Sequence, residues 1–346
     1  MLIKRKSIAT ILIVLFCMTL VVGCDSSKKE EKAGEQKASV IELTFAHIQP
    51  EDLLDPYHVA ASTFKERLEK YSEGKIKVNI FPNAQLGDER VVTEGVQNGS
   101  VDCSVVTTAV TGNFQPLTRL VDLPFVFADE KNARAILSGP IGRQILDSME
   151  EVKIKGLAFT ENGMRAILNT KRQIKTPADL NGLKLRVMQN PIYIDFYSAL
   201  NVNAVPLPFG EVYTAVQQGT VDGLDLAPTV IEQTKMHEVN KYLTDIKYTY
   251  TSLMIIMNND KFKGLSPELQ AAVMKASAEA AQAVFDSNDK AIPVRMASLE
   301  KLMKVTQHDE VDIEAFRAVS EEVWTKYTQT PKAKEILAAI QAEIKK

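Results

Sequence analysis

Arg186 combines a residue type and a position that suit the binding of an anion. The stretch 182–187 alternates apolar and polar residues, which predicts a strand with Arg186 near its carboxyl end. Asn190 and Pro191 follow, an N-cap residue and a proline at the first helical position. A helix N-terminus offers free N–H groups, and an arginine can form two parallel charged hydrogen bonds. The pattern predicts a carboxylate or phosphate site, with a structural ion pair to one of the protein's own acids as the alternative.

The sequence carries none of the motifs typical of catalysis or metal binding. There is no H-E-x-x-H, G-x-S-x-G, C-x-x-C or P-loop, and the four histidines do not share the spacing of metal ligands. The adjacent acids Asp88 and Glu89 are typical of helix N-terminal residues stabilised by the helix dipole. We therefore predict no catalytic residue, no metal site and no cofactor.

Composition places the chain among ordinary globular proteins. It has 346 residues, 45% of them hydrophobic and 25% charged, with a net charge of −3. This length is sufficient for two domains. No basic stripe interleaved with aromatic residues is present, so nucleic acid is not an expected partner.

The first residues predict export and lipidation. Lys4, Arg5 and Lys6 precede an apolar run at 8–22, and the sequence V-V-G leads to Cys24. This layout resembles a bacterial lipoprotein signal, so we expect residues 1–23 to be a signal peptide and Cys24 to carry the lipid anchor. A transmembrane anchor is the alternative, but the run is shorter than the roughly 20 residues that a spanning helix needs. The polar segment 24–39 is predicted to be a flexible tether, and the folded body is expected outside the cytoplasm at the membrane.

The elements that would position Arg186 follow an alternation of strands and helices, which favours an α/β architecture with a largely parallel sheet. The segment V-Q-N-G-S-V-D at 96–102 recurs as V-Q-Q-G-T-V-D at 216–222, which indicates two similar lobes. Ser266 and the proline after it predict the start of a helix that continues to about Met303. Such a helix is on the order of 50 Å long and could cross both lobes, and Pro293 should bend or break it.

The motifs around Arg186 are similar to those of one protein family. They are G-L-K-L-R-V at 182–187, P-L-P-F-G-E-V-Y at 206–213, V-D-G at 221–223, Q-L-G-D at 85–88, L-P-F at 123–125, and N-G-M-R at 162–165 with Asn169. From about Ile41 into the C-terminal helices, the chain resembles the DctP-type dicarboxylate-binding family, the solute-binding proteins of tripartite ATP-independent periplasmic (TRAP) transporters. The resemblance implies a two-lobed, periplasmic-binding-protein-like α/β fold with a ligand cleft between the lobes and a long helix crossing both. Lobe I is expected to hold 40–162 and 251–291, and lobe II 163–250 and 292–346.

The resemblance also implies which residues bind the ligand. Arg186 would form the forked bond to a ligand carboxylate, Arg165 would line the same pocket, and Phe209 would pack beside the ligand. His47 would supply a polar contact from the opposite lobe, and the helix N-terminus at Asp88 would face the cleft. The alternatives are core packing for Phe209, a satisfied strand-end histidine for His47 and a structural ion pair for Arg165.

Gln189 and Asp225 complete the predicted site, and one position departs from the family's pattern. Leu226 stands where many members have an asparagine that contacts the ligand. A polar contact would be lost there, so the ligand would be less hydroxylated or differently placed. Asp225 interrupts an apolar strand, and its partner could be a ligand hydroxyl, a backbone N–H or a neighbouring cation.

The function implied is that of an extracytoplasmic binding lipoprotein, expected to be a monomer. It would capture a small organic acid by lobe closure and deliver it to the membrane subunits of a TRAP permease. The alternatives are a ligand-sensing subunit for a membrane receptor and an extracytoplasmic enzyme on the same scaffold. The arginine clamp fits C4-dicarboxylates, sugar acids, keto acids and aromatic acids alike.

Overall fold

The computed structural model of the protein describes residues 40–344. The signal peptide, the lipidation site Cys24 and the tether, all predicted for residues 1–39, lie outside this part of the chain. Within 40–344, every helix is too short or too polar to span a membrane.

The described residues form eleven strands and thirteen α-helices, numbered separately in chain order. The strands are β1 (Ile41–Ala46), β2 (Ile76–Phe81), β3 (Cys103–Thr107), β4 (Ile154–Met164), β5 (Ala166–Asn169), β6 (Lys184–Val187), β7 (Asn203–Pro206), β8 (Gly223–Leu226), β9 (Tyr242–Thr244), β10 (Tyr250–Asn258) and β11 (Lys304–Thr306). The helices are α1 (Pro56–Tyr71), α2 (Glu89–Asn98), α3 (Thr108–Thr111), α4 (Glu130–Leu137), α5 (Pro140–Ser148), α6 (Pro191–Ala199), α7 (Val212–Gln217), α8 (Pro228–Gln233), α9 (Met236–Val239), α10 (Asn259–Lys263), α11 (Pro267–Leu302), α12 (Ile313–Tyr327) and α13 (Pro331–Ile344).

The strands are divided between two sheets. The first sheet has the order β2-β1-β3-β10-β4, in which β1, β2 and β3 are parallel and β10 is antiparallel to both neighbours. The second sheet has the order β11-β9-β5-β8-β6-β7, in which β6 is parallel to both β7 and β8. We call each sheet, with the helices packed on it, the first and the second lobe. The predicted α/β class is confirmed.

The repeated heptapeptide occupies the same place in both sheets. Each copy ends a helix, turns at a glycine with positive φ (Gly99, +83°; Gly219, +69°) and enters a strand, β3 or β8. Asp102 then accepts a 2.8 Å hydrogen bond from a backbone N–H of β1, and Asp222 accepts one of 2.9 Å from β6. In each sheet the aspartate thus ties its strand to the parallel neighbour at an equivalent register position. The prediction of two similar units is confirmed for this repeated segment and the strands that it joins.

The long helix α11 contacts both lobes. It begins where predicted, since the Ser266 side chain accepts a hydrogen bond from the N–H of Leu269, and it has 36 residues. It packs against α1 and β4 of the first lobe and against α8 and β11 of the second. The helix continues through Pro293, so a break at this proline, one of the two predicted outcomes, does not occur.

The exact lobe boundaries stay a prediction. The strands fall on the expected sides, because β4 ends at Met164 in the first sheet and β5 begins at Ala166 in the second. The last helix, α13, lies within the range predicted for lobe II, but it packs against α4 and α5, which accompany the first sheet. Gln144 of α5 and Glu335 of α13 are joined by a hydrogen bond of 3.4 Å.

Gly223, the first residue of β8, permits the close packing of β8 on β5. A Cβ at this position would lie 2.0 Å from the carbonyl oxygen of Leu168 and 2.7 Å from the Cα of Asn169. We predict that Gly223→Ala lowers the free energy of unfolding by about 1–3 kcal/mol, because overpacking forces the two strands apart. Denaturant titration measures this. Gly210→Ala is the control, since its Cβ would meet no atom within 4 Å, and equal stabilities of the two variants would contradict the prediction.

Candidate ligand-binding site

The carboxyl ends of the parallel strands of both sheets border one cavity of about 280 Å³. This is the edge of an open α/β sheet where ligands generally bind. The first lobe contributes Ile48, Gln49, Tyr57, Glu89, Thr107 and Asn162, among others. The second lobe contributes Arg165, Arg186, Met188, Leu207, Phe209 and Leu226, among others.

Arg186 lines this cavity without an acidic partner. Its side chain is 3% exposed, and Nε and Nη2 both donate to the carbonyl oxygen of Leu207, at 3.0 and 2.7 Å. Within residues 40–344 no carboxylate lies within ion-pair distance of it, so the predicted alternative, a structural ion pair, is not formed. Burial and then the charge of Arg165 lower the pKa of Arg186 to about 10, which leaves it protonated at neutral pH. A buried cation of this kind is stabilised by an anion that enters the cavity.

Arg165 also lines the cavity, but its charge is already compensated. Nε and Nη2 donate to the carboxylate oxygens of Asp225 at 2.7 and 2.9 Å, and Nη1 donates to the Thr251 hydroxyl at 3.2 Å. Burial would lower the pKa of Arg165, yet the charge and hydrogen bonds of Asp225 hold it well above its usual value. The structural ion pair, the alternative considered from sequence, is present.

Asp225 was predicted to contact the ligand, and that contact stays a prediction. Its side chain is fully buried, does not line the cavity and accepts hydrogen bonds from Arg165 and from the Tyr248 hydroxyl. Of the three partners left open by the sequence, the neighbouring cation is the one observed. Asp225 therefore acts on the site through Arg165.

His47 does not line the cavity either. It follows the end of β1, and its Nε2 lies 3.2 Å from Nδ1 of His58. Burial and then His58 lower the pKa of His47 to about 4, so the ring is neutral at physiological pH. The next two residues, Ile48 and Gln49, line the cavity instead. The contact predicted between His47 and a ligand stays a prediction.

Phe209, Gln189 and Asp88 all border the cavity, as expected. Phe209 is half-buried in a 3₁₀ turn, Phe209–Glu211. The carbonyl oxygen of Gln189 accepts a 2.7 Å hydrogen bond from the Asn113 amide of the other lobe. Asp88 caps α2 by accepting from the N–H of Val91 at 2.9 Å. Their contacts with a ligand stay a prediction.

A buried acid, Glu89, lines the cavity and was not predicted as a site residue. Glu89 accepts from the Tyr57 hydroxyl at 2.8 Å and from the Thr107 N–H and hydroxyl at 2.9 and 2.7 Å. Burial raises its pKa, although the bonds from Thr107 and Tyr57 oppose the rise. The signal was available, because Glu89 shares the inward face of α2 with Val92 and Val96.

Polar contacts join the two lobes beside the cavity. The Asn190 amide donates to the Ala109 carbonyl at 3.1 Å and to the Asp122 carboxylate at 3.2 Å. Thr229 donates to the Asn162 carbonyl at 3.2 Å. Burial raises the pKa of Asp122 to about 7. These bonds hold the second lobe against the first around the cavity.

The comparisons with known proteins identify the class. A family model described as bacterial extracellular solute-binding protein, family 7, matches residues 45–330. A TRAP periplasmic solute-binding protein from Polaromonas sp. JS666, bound to D-erythronate, superposes with a TM-score of 0.83 at 34% identity, covering 87% of this chain and 98% of that one. One from Bordetella bronchispeptica, with ligand density assigned to pantoate, gives 0.82 at 34% identity, with the same coverage.

The chain belongs to this family of solute-binding proteins, and its two-lobed fold is that of the TRAP periplasmic solute-binding proteins. Among the sequence relatives, the 2,3-diketo-L-gulonate-binding periplasmic protein YiaO of Escherichia coli K12 is 35% identical over 226 residues, which are 65% of this chain and 67% of that protein. The family identified from the motifs is confirmed. In residues 40–344 no group of three or more His, Cys, Asp or Glu side chains is arranged to hold a metal ion.

The Arg165–Asp225 pair supports the second lobe. We predict that Asp225→Asn lowers the free energy of unfolding by about 3–5 kcal/mol, because a buried guanidinium loses its counter-charge. The control is Glu310→Gln, which breaks an exposed pair with Lys175 and should cost about 1 kcal/mol or less. Denaturant titration of the two variants measures both. A loss at Asp225 no greater than the loss at Glu310 would show that the buried pair is unimportant for stability.

Proposed function

We propose that this chain is an extracytoplasmic lipoprotein that captures a small hydroxylated organic acid between its lobes and delivers it to a TRAP-type permease. The observation that carries the proposal is Arg186, a buried guanidinium without an acidic partner at the edge of the cavity. Arginine forms forked, charge-assisted hydrogen bonds with carboxylates. A ligand carboxylate would supply the missing negative charge.

The wall of the cavity that the first lobe contributes, opposite Arg186, suits the hydroxyl groups of such an acid. Glu89, Thr107 and Gln49 present acceptors and donors there, and the Oδ1 atom of Asn162 is buried with no hydrogen-bond partner among the described residues. Binding an acid between Arg186 and these groups engages both lobes at once. Closure then removes the carboxylate from water, where its bonds to Arg186 are strengthened by the lower local dielectric.

The relatives support the ligand class. The proteins from Polaromonas and Bordetella carry D-erythronate and density assigned to pantoate, and YiaO is named for 2,3-diketo-L-gulonate. All three ligands are hydroxylated carboxylic acids, which agrees with a clamp for one carboxylate and a polar wall for hydroxyl groups. Transfer to a permease is inferred from the family, since binding proteins of this class are partners of a membrane transporter.

Removing the Arg186 side chain tests the proposed function. In isothermal titration calorimetry with a panel of erythronate, pantoate, gluconate and galacturonate, Arg186→Ala should weaken binding of the preferred acid by about tenfold to a hundredfold or more, because each charged hydrogen bond contributes about 1.5–3 kcal/mol. Arg186→Lys should be intermediate, since it keeps the charge but not the fork.

Two further measurements make this test specific. The ligand-free Arg186→Ala protein should be at least as stable as wild type, because an uncompensated buried cation has been removed. The control Arg317→Ala changes a half-exposed arginine outside the cavity and should bind normally. Wild-type affinity in Arg186→Ala would refute the assignment of this residue.

The lipid anchor is a separate part of the proposal and rests on the sequence around Cys24. A basic start, an apolar run and V-V-G before this cysteine support it. We predict that the full chain expressed in bacteria fractionates with membranes and incorporates labelled palmitate. Cys24→Ser should abolish the label, whereas Cys103→Ser, a buried thiol in β3, should not. A chain that is released without lipid after cleavage would contradict the anchor and leave the binding function intact.

A further inference from the structure

The two walls of the cavity differ in chemistry. The polar side chains Gln49, Glu89 and Thr107 belong to the first lobe. The second lobe presents mainly apolar side chains around its arginines, which are Met188, Leu207, Pro208, Phe209 and Leu226. A ligand held between the walls therefore meets most of the uncharged hydrogen-bonding side chains on the first lobe, which also contributes Ile48 and Val110, and a largely apolar surface on the second.

Leu226 is the most buried member of the apolar wall. It is the last residue of β8, is 4% exposed and lies on the opposite pleat to Asp225. Leu207 and Phe209 pack against the same hydrophobic cluster that contains Leu226. The three side chains thus belong to one apolar region of the second lobe and border the same cavity as the arginines.

The polar side chains of the second lobe do not offer hydrogen bonds along this apolar surface. The Arg165 guanidinium is held by Asp225 and Thr251. Glu211 is solvent-exposed at the rim, and Gln189 also borders an outer pocket. Among the lining residues that the structure describes in this lobe, Arg186 and the Gln189 amide are the polar groups left to bind the ligand, and neither belongs to the apolar surface around Leu226.

We infer that Leu226 is a specificity-determining residue and that it selects an amphipathic hydroxy acid, with a branched aliphatic face, over a polyhydroxylated acid of the same size. The inference rests on the proposed function and deepens it. Burial of a ligand methyl group against Leu226 removes apolar surface from water, which lowers the free energy of the complex. A hydroxyl group there would lose its bonds to water and gain none.

A matched pair of ligands tests the inference on the wild-type protein. The acids 2,3-dihydroxy-3-methylbutanoate and 2,3,4-trihydroxybutanoate have the same number of non-hydrogen atoms, and both carry hydroxyls at C2 and C3. The first ends in two methyl groups and the second in a hydroxymethyl group. Calorimetry should show that the branched acid binds about tenfold to a hundredfold more tightly, the range over which an apolar pocket discriminates against a hydroxyl.

The variant Leu226→Asn tests the residue itself. An amide would give a hydroxyl a partner, so the ratio of the two dissociation constants should fall to about one or reverse. The ratio compares two ligands on one protein, so a partial loss of folded protein does not alter it. Leu302→Asn, on the exposed side of α11, is the control and should keep the wild-type ratio.

The outcomes distinguish a failure of the inference about Leu226 from a failure of the proposed function. Equal affinities in the wild type, tighter binding of the trihydroxy acid, or an unchanged ratio in Leu226→Asn would overturn the inference. So would binding of other acids of the panel when neither member of the pair binds. Failure of every acid to bind would instead refute the proposed function on which the inference rests.

Discussion

Two buried guanidinium groups border the cavity, and within residues 40–344 one of them is paired with a carboxylate while the other is not. Asp225 neutralises Arg165 through two hydrogen bonds, and Arg186 is left with a backbone carbonyl as its acceptor. A buried charge without a partner is costly, so the site is electrostatically complementary to a carboxylate. Had Asp225 been within reach of Arg186 as well, the protein would satisfy its own cation. We therefore propose that ligand capture depends on the separation of the paired arginine from the unpaired one.

The fold creates this arrangement by repeating one unit in two sheets. In each sheet an aspartate before a strand, Asp102 or Asp222, fixes the register to the parallel neighbour. The carboxyl ends of β3 and β8 consequently face the same cavity from opposite lobes, with Thr107 on one side and Leu226 on the other. The long helix α11 and the bonds made by Asn190 join the lobes without filling the space between them.

Local sequence signals allowed much of the fold and part of the candidate site to be predicted. The caps at Asn190 and Ser266, the repeated heptapeptide and the place of Arg186 depend on neighbouring residues and were correct. The contacts that the sequence did not reveal join distant segments. The partner of Asp225 lies 60 residues away, and no local pattern indicates it. His47 is one position away from Ile48, which lines the cavity. The sequence pattern locates the end of β1, but it does not predict the conformation of the residues that follow. Glu89 was assigned to the helix dipole although its face of α2 is buried.

We propose that Arg186, and not the already paired Arg165, receives the negative charge of the ligand. A crystal structure of the protein purified with its acid, refined at a resolution that separates carboxylate from hydroxyl groups, is the direct test. We expect the ligand carboxylate within hydrogen-bonding distance of the Arg186 guanidinium, with the Arg165–Asp225 pair intact. A ligand whose carboxylate lies elsewhere, with Arg186 bonded to an aspartate or glutamate of the protein, would contradict this role of Arg186.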